Sequence, residues 1–312
     1  MAAITAVIAI GLSIVTVPAA NAVESRAISG RVMLPAGVPA GWLGSVSVSA
    51  SPASSSGSPG SGSPGSAVVD PVTGAYNITD LAPGSYRVQF QVNSYWDGMA
   101  SVRPNLVPEY YNDTTDYMSA AIVDVAVSNA TGIDATLAEG RSISGKVTIP
   151  EDMDAQALRA IWVSASSFSG NGSYGNAMVD PVTGEYSLVG LASGSYRVQF
   201  QVNSYWDGDS SVRPNLVSEY YDDAVDYSAA TAVDVTNGNA ISIDADLVEG
   251  RSISGTVTIP DEVDPDWIRG VSVSASGVTG LSSGSGSIDP TTGKYSITGL
   301  APAAYRLQFG VG

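Results

Sequence analysis

The chain contains neither cysteine nor histidine. Without cysteine there is no disulfide and no thiolate metal site. Without histidine there is no side chain whose ordinary pKa lies near neutrality and no imidazole ligand for zinc. Two common routes to catalysis are therefore closed. Basic residues are scarce as well, thirteen Lys and Arg against thirty Asp and Glu, for a net charge of −17. Such a surface repels the phosphates of nucleic acid and of anionic lipid headgroups, which excludes nucleic acid as a partner. Lys, Glu and Leu give way to Ser, Thr, Gly and Val, the usage of short strands and turns rather than of helices.

One long apolar run is present, at residues 4–17, followed by the helix-breaking Pro18 and by Ala20-Asn21-Ala22, with small residues where a signal peptidase requires them. The expectation is a secretory signal over residues 1–22, cleaved after Ala22. The run falls short of the roughly 20 apolar residues of a membrane-spanning helix. No Lys or Arg precedes it, and the first basic residue is Arg26, so the true start is expected upstream of Met1. The sequons at Asn77, Asn112, Asn129 and Asn171 are expected by chance in a chain this rich in Ser and Thr.

Beyond the signal the chain is repetitive. SYRVQFQVNSYWDG at residues 85–98 returns unchanged at residues 195–208, and its opening returns as Tyr305-Arg306-Leu307-Gln308-Phe309. Tyr86, Val88, Phe90 and Val92 alternate with Arg87, Gln89 and Gln91, which puts one face of a strand in a core and the other in water. Gly30, Gly145 and Gly255 share an Ile-Ser-Gly, and Asp70, Asp180 and Asp289 open a shared DP-x-TG. From Asp70 to Asp180 is 110 residues and from Asp180 to Asp289 is 109. That period is a whole β-domain, beyond the roughly 20–50 residues of a solenoid repeat. The expected division is repeats at residues 27–140 and 141–250 and an incomplete third at 251–312, which stops at Gly312 as a fragment of a longer array.

Within each repeat Ile28 and Val32 mark a first strand, Val46, Val48 and Ala50 a second, and Tyr76 and Ile78 a fourth. Val123, Val125 and Val127, then Ile133, Ala135 and Leu137, mark the last two. The connections after the first strand hold a helical turn in the second and third copies. Residues 51–66, almost wholly Ser, Gly and Pro, form a solvated surface loop. Asp70 bonds the backbone of a tight turn completed by Pro71 and Gly74, rather than calcium. Only Ala138-Glu139-Gly140-Arg141 separate one repeat from the next, so neighbours should form a semi-rigid rod.

The order Ile-Ser-Gly, Val-Ser-Val-Ser-Ala, D-x-x-TG-x-Y and Gly-Leu-Ala-x-Gly-Ser-Tyr-Arg-Val resembles the carboxypeptidase regulatory-like and Cna-B-type modules. The last motif is complete at residues 190–198; Asp80 replaces its first Gly in copy one, and Ala303-Ala304 replace Gly-Ser in copy three. The resemblance implies an all-β protein of tandem seven-stranded, transthyretin-like sandwiches related to starch-binding-like folds, with the third copy truncated. The segment Asn105–Tyr111 is similar to a variety found in actinobacterial secreted proteins. Many Cna-B-type modules carry a Lys–Asn isopeptide bond promoted by a buried acid. Here Lys146 has Arg31 and Thr256 as its counterparts, and Phe90, Phe200 and Phe309 stand where the family's Glu would be, so no isopeptide bond is expected.

Two clusters carry candidate chemistry. Tyr95, Trp96, Tyr110 and Tyr111, repeated as Tyr205, Trp206, Tyr220 and Tyr221, offer faces for pyranose rings beside polar groups such as Asn93 and Asp97. Alternatively Trp96 and one tyrosine cover the open end of the sandwich. Glu109, Asp113 and Asp116, and Glu219, Asp222, Asp223 and Asp226, are candidates for calcium or for a glycosidase pair. Neither is specified by the spacing, and a barrel of about 250 residues with βα alternation is missing. The expectation is therefore no catalytic residue, no metal and no cofactor. The best-supported function is a secreted or cell-surface structural and adhesive array meeting a glycan or a host or neighbouring cell surface. The runner-up is a carbohydrate-binding array attached to a secreted glycoside hydrolase such as an α-amylase.

Overall fold

The computed structural model describes residues 25–53, 63–99, 101–168, 174–260, 264–278 and 283–311. The signal segment and most of the Ser/Gly/Pro loop lie outside the described residues.

In the first repeat, strands β1 (Arg26–Met33), β2 (Val46–Pro52), β3 (Gly65–Val68), β4 (Ala75–Leu81) and β5 (Ser85–Val92) come first. Five two- and three-residue strands come after them: β6 (Tyr95–Trp96), β7 (Ser101–Val102), β8 (Glu109–Tyr110), β9 (Ile122–Asp124) and β10 (Ala135–Thr136). One sheet runs β10-β1-β4, with β10 parallel to β1. The other runs β3-β2-β5, and the far edge of β5 is shared by β8 and β9, which pair with successive stretches of it. Seven strand positions result, the seventh interrupted. The ribbon β6–β7 stands apart from both sheets.

Alternation explains the core. Tyr86, Val88, Phe90 and Val92 on β5 are all buried, as are Val46, Val48 and Ala50 on β2, and they face Ile28, Val32, Tyr76 and Ile78 of the smaller sheet. Each buried Val, Ile or Phe among them stabilises the fold by about 1.5–3 kcal/mol. The Tyr76 ring meets Phe90 edge-on at 5.9 Å, and its hydroxyl donates to the Ile133 carbonyl, so its one polar atom is satisfied inside the core. The second repeat repeats these contacts with Tyr186, Phe200 and Ile243. In the third, the strand Tyr305–Val311 is paired on one edge only among the described residues, and Phe309 is 50% exposed where Phe90 and Phe200 are fully buried.

The turns obey their sequences. One Asp70 carboxylate oxygen accepts from the Val72 and Thr73 amides and the Thr73 hydroxyl, and Gly74 takes φ 72°. A β-carbon at Gly74 would lie 2.2 Å from the Val32 carbonyl oxygen, so only glycine fits. Asp180 and Asp289 make the same amide bonds.

Three expectations need correction. A 3-10 turn is present in all three connections, at Ala40–Ser45, Ala155–Ala160 and Pro265–Gly270. The first lacks the aspartate cap of the other two, but Trp42 and Leu43 pack against the core and hold it. The Ser/Gly/Pro loop ends earlier than its composition implies, because Gly65 and Ser66 already pair with β2. Val127 is exposed rather than on a strand, because Asp124 accepts from the Ala126 amide and turns the chain away.

Candidate functional site

The aromatic residues do not form one platform. Tyr95 and Trp96 sit on the free-standing ribbon, where Trp96 is 69% exposed and Trp206, its counterpart, 64%. Neither tryptophan covers the end of the sandwich. Tyr110 and Tyr220 lie opposite Gln89 and Gln199, on the outer face of the larger sheet. There Tyr110 meets Tyr117 edge-on at 5.7 Å, and Tyr220 meets Tyr227 at 6.0 Å. The Arg87 guanidinium lies over Tyr117, and that of Arg197 over Tyr227 and Phe168. Tyr111 and Tyr221 turn inward and pack against the core. Each set of four is thus divided among ribbon, outer face and interior.

The acidic clusters are divided as well. Asp116 and Asp226 cap turns, accepting from the Met118 and Ser228 amides. Asp113 and Asp223 occupy positive-φ turn positions at 56° and 57°. Glu109 lies directly opposite Phe90 and therefore shares its inward face; it is 7% exposed, and Glu219, opposite Phe200, is 5% exposed. Oε1 of Glu109 accepts no hydrogen bond. Burial, and then the neighbouring Asp113, raise this carboxyl to about 7. Burial, Asp223 and Asp246 do the same for Glu219. Among the described residues no three Asp or Glu side chains converge as a metal site. Lys146 stands on the exposed side of its strand, opposite Glu185.

The most closely built feature is one that composition does not announce. It lies where one repeat meets the next. The Asn105 side-chain amide donates to the Gly140 carbonyl at 2.8 Å, and the Gly140 amide donates back to the Asn105 carbonyl at 2.9 Å. The Asn105 side-chain oxygen accepts from the Gly190 amide in the following repeat at 2.8 Å, which completes a clamp across the joint. Asn215 makes the identical set with Gly250 and Gly299 at the second joint.

Both joints demand glycine. Gly190 and Gly299 take φ 75° and 71°, and a β-carbon on them would lie 2.7 Å and 2.8 Å from the carbonyl oxygens of Leu106 and Leu216. On Gly140 or Gly250 it would come within 2.6 Å or 2.5 Å of the partner glycine's α-carbon. In the first repeat the equivalent of Gly190 is Asp80, at φ 60°, its carboxylate bonded to the Ser25 and Thr79 hydroxyls. The sequence signal for the joint is Asp80 itself, where it breaks the Gly-Leu-Ala motif. A groove of about 670 Å³ runs beside the first joint, lined by Glu109, Asp113, Asp134, Glu139, Arg141 and Ser193 among others. A cleft of about 300 Å³ beside the second is lined by Arg213, Tyr220, Asp226, Tyr227 and Ser283.

No protein-family model matches the chain, and no curated protein sequence does. Solved structures similar to it include the Bacillus anthracis TIE protein, at 9% identity and a TM-score of 0.25 over 92% of this chain and 46% of that one. GBS52, the minor pilin of Streptococcus agalactiae, is similar at 10% identity and a TM-score of 0.29 over 76% of this chain and 100% of that one. A streptococcal ancillary pilin is similar at 10% identity and a TM-score of 0.25, over 92% and 90%. The chain thus spans about half the length of the anthrax protein. Likeness at this level bears on neither family nor activity. Among the described residues no helix is long and apolar enough to cross a membrane.

Proposed function

We propose that the chain is a structural and adhesive array, a stalk of β-sandwiches presented outside the cell, with no catalysis of its own. The observation that carries this is the joint. Three hydrogen bonds and a backbone contact too close for any β-carbon recur at both junctions. A flexible tether between independent binding modules needs none of this, whereas a rod does, because it transmits orientation from one end to the other. Net charge of −17 keeps such a rod soluble and discourages lateral association. Small-angle X-ray scattering tests the proposal. The intact chain should give one extended particle, and Asn105→Ala with Asn215→Ala should give a broader distribution of shorter maximum dimensions. A wild-type profile already as broad as the variant's sinks the stalk.

The second reading, a carbohydrate-binding array carried by a glycoside hydrolase outside this chain, is favoured by Trp96 and Trp206. A tryptophan that exposed costs solubility without adding to the core, and two adjacent repeats present it on the same ribbon. A glycan array together with quenching of tryptophan fluorescence tests it. Binding to a starch-like or other glycan, lost in Trp96→Ala with Trp206→Ala, supports it; a folded wild-type chain that binds no glycan removes it.

A further inference from the structure

Glu109 and Glu219 are buried acids that the clamp does not use, yet each ends the short segment that makes it. In residues 105–109, Asn105 bonds the next repeat, Leu106 abuts Gly190 and bridges to Glu139, and the Val107 amide donates to the Ala138 carbonyl. Glu109 then enters the sandwich opposite Phe90. Residues 215–219 do the same, with Leu216 bridging to Glu249 and the Val217 amide donating to the Val248 carbonyl. A strand of two residues holds each glutamate to the central strand, the Tyr111 and Tyr221 amides that follow donate to the Val88 and Val198 carbonyls, and on the N-terminal side the segment is anchored by the joint.

The surroundings of Glu109 are acidic. The charged groups lining the groove with it are Asp113 from the turn after β8, Asp134 from the approach to β10, Glu139 from the linker, and one cation, Arg141, from the next repeat. The charged groups acting on Glu219 are Asp223 and Asp246. An ionised carboxylate that is buried and faces other carboxylates, and in Glu109 is also unpartnered at Oε1, opposes its own strand; a neutral one does not.

We propose that Glu109 and Glu219 are proton-operated latches on the joints of the rod: neutral and sealed inside in mildly acidic surroundings, ionised and drawn toward solvent above neutrality, loosening the segment that carries the clamp. The latch rests on the rod described above. Its direction is set by linkage. A carboxyl raised from an ordinary 4.5 to about 7 by folding carries no penalty below 4.5, an increasing one as pH rises, and the full one above 7. That interval corresponds to a roughly 300-fold weakening per site.

The test uses the full chain and its Glu109→Gln, Glu219→Gln double variant, in which the isosteric neutral amide stands for the protonated acid. Urea midpoints and amide exchange at Val107 and Val217, corrected for intrinsic exchange rates, are monitored from pH 5 to pH 8. The wild type should lose stability and protection across that range, by about 70-fold at each joint, since about 4-fold of the full interval is already lost at pH 5. The double variant should hold its pH 5 values at pH 8. Parallel profiles for the two proteins overturn the latch. So does recovery of the wild type at pH 8 on adding calcium, which makes the occupant a metal rather than a proton. Failure of the rod itself would show differently, as a bent or broad scattering particle at every pH in both proteins.

Discussion

Replacing Gly190 by alanine tests the joint at its tightest point. The substitution puts a β-carbon 2.7 Å from the Leu106 carbonyl oxygen and asks an L-residue to hold φ 75°. The left-handed backbone costs roughly 1–2 kcal/mol. Moving the two repeats apart to relieve the contact forfeits the bond from the Gly190 amide to Asn105, about 1 kcal/mol. The first joint should therefore weaken by about 2–3 kcal/mol, an increase in its opening of about 30-fold or more. Native-state hydrogen exchange reads this at the Gly140 amide, which donates to the carbonyl of Asn105, the residue whose side chain Gly190 holds. Gly140 should exchange faster while Gly250, at the second joint, keeps its rate, and the Leu188 and Val198 amides of the second core keep theirs. If Gly140 is unaffected, or if it quickens only together with the whole second core, the joint is not an independent element and the reasoning fails. Asp80→Ala, at the same place in the first repeat, where no other repeat is docked among the described residues, should leave both joints unchanged.

Three further outcomes are expected. Phe90→Ala or Phe200→Ala should cost about 3–5 kcal/mol in urea unfolding, whereas Phe309→Ala, half exposed, should cost well under half of that. Trp96→Ala with Trp206→Ala should shift thermal stability by less than about 0.5 kcal/mol while lowering the exposed indole emission, of which Trp267 and Trp162 keep a share; a large loss of stability would mean that the ribbon supports the fold. Asp70, Asp180 and Asp289 are held below the usual aspartate range, first of all by the Thr73, Thr183 and Thr292 amides. Their stabilisation is present above about pH 4 and is lost as pH falls through the lowered values, so acid unfolding should be shallower in Asp70→Asn with Asp180→Asn and Asp289→Asn.

Much of this molecule is legible from alternation and turn chemistry, because both are local. Tyr86 to Val92 declare a strand with one buried face, and Asp70-Pro71 with Gly74 declare a turn, whatever their partners. Inward and outward are harder to assign at Glu109-Tyr110-Tyr111. Apolarity favours burying the tyrosines and exposing the acid, yet the pairing of Glu109 with Phe90 reverses this for Glu109 and Tyr110. The clamp is out of reach for another reason. Asn105 meets Gly190 across 85 positions of sequence, and an asparagine followed by leucine carries no periodic signal. The division of the aromatic cluster has the same origin, since β6 pairs with β7 in a ribbon of its own while β8 pairs with the central strand.

Asp80 also sets a rule for how such a chain grows. A duplicated copy can be inserted downstream of another only if it presents glycine to the preceding leucine carbonyl, as the second and third copies do at Gly190 and Gly299. A copy of the first repeat placed there would carry the Asp80 β-carbon into that carbonyl and a carboxylate into the seam. The template for lengthening downstream is therefore the second repeat, not the first. Anyone extending the array by design faces the same asymmetry, and one codon, at position 80, decides it.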